Sequence, residues 1–350
     1  MTITFLDFIN NLISMPSLAI ISILISGVLL VNGWADAPNT IATCVSTRSL
    51  SPKKATIMAV VCNFFGVFLT ALIDAKVAYT IYNMVNFGND SKAALLALCS
   101  ALISIVAWAI LAGRFGIPTS QSHSMIAGLT GASIAINGNL KGINGNQWLK
   151  VIYGILVSVL LSFILGYIIT KIIEKICKNM DRRKTNRFFK YTQVVGAAGM
   201  SFLNGAQDGQ KFMGIFMLGV CLANGITENS SFIIPIWLVL ICAILMSVGI
   251  PNGVIRIIKK VGLKMVKTES YQGTSADIAS GIVLAISLIF GLPISTTQSK
   301  TTAVMGVGAS RRLSNVNWKV AKELVMTWIL TFPSAGLLAF VVTKLLLNIV

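Results

Sequence analysis

Two short stretches of this chain, each built round one aspartate, carry its clearest chemistry. Asp36 stands inside an apolar run long enough to cross a bilayer, with Asn32 and Asn39 beside it and Gly33 and Pro38 around it. An ionised carboxylate at bilayer depth is costly unless it is paired or faces water, so Asp36 marks a functional site. Pro38 has no N–H to donate and Gly33 weakens a helix, which predicts two half-helices with open ends at midplane. Asn204, Gly205 and Asp208 repeat Asn32, Gly33 and Asp36 at an offset of 172 residues, and the same interruption is expected there. The oxygens of Asp36, Asn32, Asn39, Asp208 and Asn204 are hard ligands of the kind sodium or a proton relay uses. Asp36, Asn39 and Asp208 are the expected direct ligands of a metal cation.

A second pair of motifs points to the opposite charge. PTSQSHS from Pro118 and PISTTQS from Pro293 lie 175 residues apart, each placing hydroxyls after a proline that suits the first turn of a helix. Thr119, Ser120, Gln121 and Ser122 in the first, with Ser295, Thr296 and Thr297 in the second, combine side-chain donors with the free N–H groups of a helix start. Two such ends facing each other would wrap a tetrahedral oxyanion, with Gln207, Asp208 and Lys211 completing the shell. The alternative is that these hydroxyls only satisfy their own helices. Two carboxylates repel an ionised anion unless a cation or proton lies between them, so cation and anion sites are expected to be coupled. Each aspartate has a structural alternative, as the buried partner of Lys211 or Lys300. His123 either titrates or hydrogen-bonds at a helix start.

The elements that must position these groups belong to a membrane. The 350 residues are 55% hydrophobic and 11% charged, with a mean hydropathy of +0.82, which excludes a soluble domain. The net charge of +17 comes from short loops without an aromatic-studded basic face, so nucleic acid is not an expected partner. Six scattered cysteines lack the spacing of a disulfide framework or metal site, and no cleavable signal is legible. Two motif pairs in the same order at nearly the same offset indicate a duplication. Residues 1–176 form the first repeat, 177–190 a basic cytoplasmic linker, and 191–350 the second repeat.

Lys178 to Lys190 and Arg256 to Lys267 are strongly basic, whereas Asn137 to Gln147 holds one lysine. With basic loops inside, corresponding loops fall on opposite sides of the membrane. The expected fold is therefore all-α and polytopic, with two inverted repeats, broken helices, hairpin-like half-helices meeting at midplane, and both termini external. That plan describes a secondary transporter more closely than an enzyme, because a lone His123 without a partnered nucleophile supports catalysis poorly.

At these residues the chain resembles the PiT family of inorganic phosphate transporters. Asn32–Thr43 is similar to its first signature, N-G-x-x-D-x-x-N-x-I-A-T, and Val45–Pro52 to the V-S-T-R-x-L-S-P that follows. Gly205–Gly214 is similar to its second, G-x-N-D-x-Q-K-x-M-G. Ala35, Gln207 and Gln298 depart from the family pattern of a polar residue, an Asn and a His. The resemblance implies cation-coupled symport of phosphate across the bilayer of a bacterial plasma membrane. It also implies sodium or a proton as coupling ion, no tightly bound cofactor, and a homodimer. A permease for sulfate or a related oxyanion, an anion channel, and a membrane enzyme acting on phosphorylated lipid are the alternatives.

Overall fold

The computed structural model describes residues 4–88, 90–114, 119–225, 233–252, 266 and 268–349. Among them the chain is helical, with one isolated bridge between Val85 and Ile143. Six described stretches are long and apolar enough to span a membrane. The order begins with α1 (Phe5–Ser14), a short amphipathic helix capped by Thr4 and Asp7. Its Phe8 stacks on Trp237 and meets Phe216 edge-on, which anchors the lead-in to the bundle.

The first span is broken where the sequence predicts. Helix α2 (Pro16–Ala35) ends with Asp36 at its C-cap, and α3 (Pro38–Ser46) starts again with proline in its first turn. Pro38 lacks the N–H that would have continued α2, and the helix starts again at that proline after Asp36 and Ala37. Next come α4 (Pro52–Ile73), α5 (Lys76–Tyr82), α6 (Ser91–Arg114), α7 (Gln121–Asn137) and α8 (Gly145–Cys177). Asp74 and Lys76, between α4 and α5, form an ion pair at 2.8 Å with both side chains about half exposed.

The interruption expected at Asn204–Gly214 is absent. Helix α9 (Arg182–Ala223) runs through it unbroken for 42 residues. The stretch has glycines but no proline, so every residue keeps an N–H for the ladder, and the glycines serve close packing instead. Only Lys178–Asp181 separates α8 from α9, so the second half of the basic linker is helical.

The order closes with α10 (Ile236–Gly249), α11 (Ser270–Phe290), α12 (Thr296–Arg311) and α13 (Trp318–Ile349). Helices α6 and α7 pair as one hairpin and α11 and α12 as a second. Almost every residue of α7 and α12 is buried, because α7 is covered by α6 and α13, and α12 by α8 and α11. Helices enclosed on all sides show no amphipathic period, which is why their polar residues stand out. Pro118 and most of the Arg256–Lys267 stretch lie outside the described residues. Pro293 lies two residues ahead of the Ser295 cap, so it shapes the approach to α12 and not its first turn.

Helices α4 and α9 meet through reciprocal glycines. A Cβ on Gly205 would run into the Asn63 backbone, and one on Gly66 into the Phe202 backbone. The smallest side chain therefore sets the distance between α4 and the helix carrying Asp208. Gly205→Ala is expected to destabilise the protein by about 1–3 kcal/mol, as overpacking does. A thermal melt in detergent checks it; an unchanged midpoint would show that the two backbones separate freely.

Candidate functional site

The two hairpins meet tip to tip. Ser120 caps α7 by accepting the His123 N–H, and Ser295 caps α12 by accepting the Gln298 N–H. The Ser120 hydroxyl also donates to the Ser295 hydroxyl at 2.9 Å. Both serines are thus helix caps, and they join the two repeated motifs at one buried point.

Asp36 comes to this point from the α2–α3 break. Its Oδ1 accepts the Thr297 hydroxyl at 2.8 Å, and its Oδ2 faces the Gln121 N–H at 3.3 Å. The carboxylate therefore lies at the start of α7, where backbone donors and the helix dipole favour negative charge. Asn39 orients the arrangement by donating from Nδ2 to Thr297 Oγ1 at 2.9 Å. None of the ion pairs among the described residues includes Asp36.

Asp208 is treated differently. Its Oδ1 accepts from Lys211 Nζ at 2.6 Å, and its Oδ2 accepts from Asn204 Nδ2 at 2.9 Å and from the Thr296 hydroxyl at 3.2 Å. Lys211 also donates to Ser122 Oγ at 2.7 Å and to the Ile294 carbonyl. It thereby ties α9 to both hairpin tips. This carboxylate has its countercharge built in, whereas Asp36 has hydroxyl and amide donors only.

Several buried polar atoms around these carboxylates have no partner. They are both side-chain amide atoms of Asn32 and Gln121, Oδ1 of Asn39 and Oδ1 of Asn204. Buried polar groups are almost always satisfied in native structures, so a cluster of orphans marks a place that a polar ligand completes. Their chemistry fits both charges. The carboxamide oxygens of Asn32, Asn39 and Asn204, with Asp36, suit a hard cation, and the Gln121 amide with the helix-start donors suits an oxyanion.

The residues expected to bind are thus together, with two exceptions of detail. Gln207 is engaged with the second hairpin, donating from Nε2 to the Leu292 carbonyl and receiving the Ser287 hydroxyl. Thr119 is buried just ahead of the Ser120 cap. His123 lies inside the bundle with its ring 4.8 Å from Phe332. Lys300 is the buried partner of Asp277 and also reaches Thr43 Oγ1, away from Asp36 and Asp208. Asp277 and Asn63 were not among the expected site residues. Asn63 interrupts an apolar run, which is the signal that would have flagged it, whereas Asp277 follows the polar stretch Ser270–Ser275 and carries no such signal.

The match to known proteins follows the same residues. Residues 32–339 match the model of the phosphate transporter family. A probable low-affinity inorganic phosphate transporter of Bacillus subtilis is 34% identical over 308 residues, covering 88% of this chain and 90% of its own length. The protein of the same description in Rhizobium meliloti is also 34% identical with the same coverage. That of Mycobacterium tuberculosis is 31% identical over 87% of this chain and 72% of its own. A solved structure described as the sodium-dependent phosphate transporter superposes with a TM-score of 0.85 at 22% identity, covering 96% of this chain and all of that one. A chain that carries both paired signatures and matches the model over nearly its whole length belongs to the phosphate transporter family.

Proposed function

We propose that this protein is a plasma-membrane symporter that takes up inorganic phosphate by alternating access, with sodium as the coupling ion. The observation that carries this reading is the meeting of both hairpin tips at Asp36, a buried carboxylate without a basic partner among unsatisfied amides. In the conformation described, the donors suited to an oxyanion hold the protein's own carboxylates. Thr297 and the start of α7 serve Asp36, and Thr296 serves Asp208.

That occupancy supplies a coupling mechanism. A cation settling against Asp36, Asn32 and Asn39 neutralises the carboxylate and draws it from its donors. The Thr297 hydroxyl and the Gln121 N–H are then free for phosphate, and Lys211 adds charge from the Asp208 side. Without the cation the anion faces an uncompensated carboxylate, so neither ligand binds well alone. The resulting positive coupling is reciprocal by thermodynamic linkage. Sodium is preferred to a proton because the free groups near Asp36 are carboxamides, whose oxygens bind a hard metal ion but do not relay protons at neutral pH. The structure that superposes on this chain is that of a sodium-dependent phosphate transporter, which supports that choice. The halves 1–176 and 191–350 act as inverted repeats rocking about this point, in a homodimer with termini outside.

The test is uptake of labelled phosphate into proteoliposomes under separately imposed gradients. A sodium gradient at constant pH is expected to drive accumulation against the phosphate gradient, and excess sulfate to compete weakly. Uptake that needs no sodium and collapses with a protonophore would transfer the role to a proton. Flux that no gradient drives uphill would make the protein a channel.

A further inference from the structure

Four helices carry polar side chains away from the central site in one direction. Just ahead of α3 stands Asp36, and Asn39, Thr43 and the C-cap Thr47 follow at spacings that share one face. Helix α12 contributes Thr297 and then Lys300, one turn on, while α11 contributes Asp277 and Ser270, and α9 contributes Ser201 and Gln193. Polar side chains of these helices meet in three groups. Thr40 and Ser201 share a hydrogen bond at 2.8 Å. Next along, Lys300 pairs with Asp277 Oδ1 and donates to Thr43 Oγ1 at 3.2 Å. Beyond them Gln193 Oε1 accepts the hydroxyls of Thr47 at 2.7 Å and Ser49 at 2.8 Å. Ser46, Thr47 and Ser270 then line a cavity of about 870 Å³ at that end of the molecule. Its wall carries Arg48, Lys178, Arg182, Lys190 and Arg311 against Glu174 and Glu269, so it favours anions.

Such a seam has a plain alternative, since polar side chains glue helices together in membranes. Two features argue for more. Asp277 Oδ2 and Gln193 Nε2 are buried in the seam without a partner, a free acceptor and a free donor that glue alone would have closed. The charge is also confined to one half of the duplication. At the motif offset of 175 residues, Lys300 corresponds to Met125, so the buried ammonium belongs to the side facing the basic cavity and not to a shared scaffold.

We infer that this seam is the route by which the anion passes between the central site and the cavity, and that Lys300 is its transit residue. The inference rests on the phosphate reading given above. With the seam closed, Asp277 holds the ammonium. As the seam opens, the ammonium exchanges that carboxylate for the passing phosphate, and the freed Asp277 carboxylate repels the anion onward. Asp277 takes Lys300 back when the anion has left, which restores the barrier.

The experiment compares Lys300→Met, Lys300→Arg and the double variant Lys300→Met/Asp277→Leu with wild type. Phosphate affinity is measured by calorimetry in detergent and initial uptake rate in proteoliposomes. Lys300→Met is expected to keep affinity within about 2-fold and to lower the maximal rate at least ~10-fold. Lys300→Arg should recover much of the rate. The double variant, which removes both buried charges together and so removes the folding penalty of a lone one, should remain slow. Wild-type rate in the double variant would make the pair structural and overturn the inference, as would Lys300→Met losing affinity and rate in equal proportion. A wild-type protein with no phosphate uptake would remove the phosphate reading itself, and this route with it.

Discussion

Replacing Asp36 by Asn abolishes uphill phosphate uptake, an expected loss of at least ~100-fold, or about 3 kcal/mol. The substitution is close to isosteric, and the new Oδ1 still accepts the Thr297 hydroxyl that Asp36 accepts at 2.8 Å. Removing an unpaired buried charge does not leave another charge stranded, so the variant should melt near the wild-type temperature. What disappears is the negative charge that gives a cation a reason to enter, and with it the coupling. Phosphate binding itself should fall less than uptake, because the hydroxyls and helix-start donors remain. Asn39→Ala extends the argument: it should raise the sodium concentration needed for half-maximal uptake and change phosphate affinity less. Accumulation by Asp36→Asn at the wild-type rate under the same sodium gradient would sink the assigned role.

Lys211→Gln has the second large effect, and it should act on folding as well as binding. Lys211 and Asp208 are both fully buried and 2.6 Å apart. Taking away one member of a buried pair strands the other charge, at a typical cost of about 3–5 kcal/mol. The variant should therefore melt far below wild type. Adding Asp208→Asn removes the stranded carboxylate and should recover most of that stability. It should not recover phosphate affinity, since the ammonium that reaches Ser122 and the Ile294 carbonyl between the two hairpin tips is still missing. Thermal melts and binding calorimetry on both variants separate the two consequences. If affinity returned together with stability, Lys211 would be a structural partner of Asp208 and nothing more.

The contrast between the two aspartates is only partly legible in the sequence, where Lys211 stands at the position that Asn39 holds in the first half. Asn32, Gly33 and Asp36 match Asn204, Gly205 and Asp208 residue for residue, which invites the reading that both halves build the same broken helix. In the fold only the first half breaks. Pro38 withholds a backbone donor, whereas the second half has Lys211 in a helix that never loses one. One difference in each half thus leaves one carboxylate without a basic partner and gives the other a resident ammonium.

Local chemistry fixed the membrane-spanning character, the break at Asp36 and the helix starts at Ser120 and Ser295. A proline lacks its donor and a serine caps its own helix whatever lies around it. The identity of the two functional stretches was legible for the same reason, since charged and amide side chains in apolar runs are costly everywhere in a bilayer. Partners were another matter. That Ser120 meets Ser295, that Asp36 lies on the start of α7, that Gln207 turns to the Leu292 carbonyl and that Lys300 goes to Asp277 are contacts between residues 85 to 175 apart or, for the last, between neighbouring helices of one hairpin. Periodicity within one helix says which face is polar. Only the packing of α3, α9, α11 and α12 against one another decides which polar face meets which, because hydrogen bonds between helices depend on their relative height and rotation, and no local propensity encodes those.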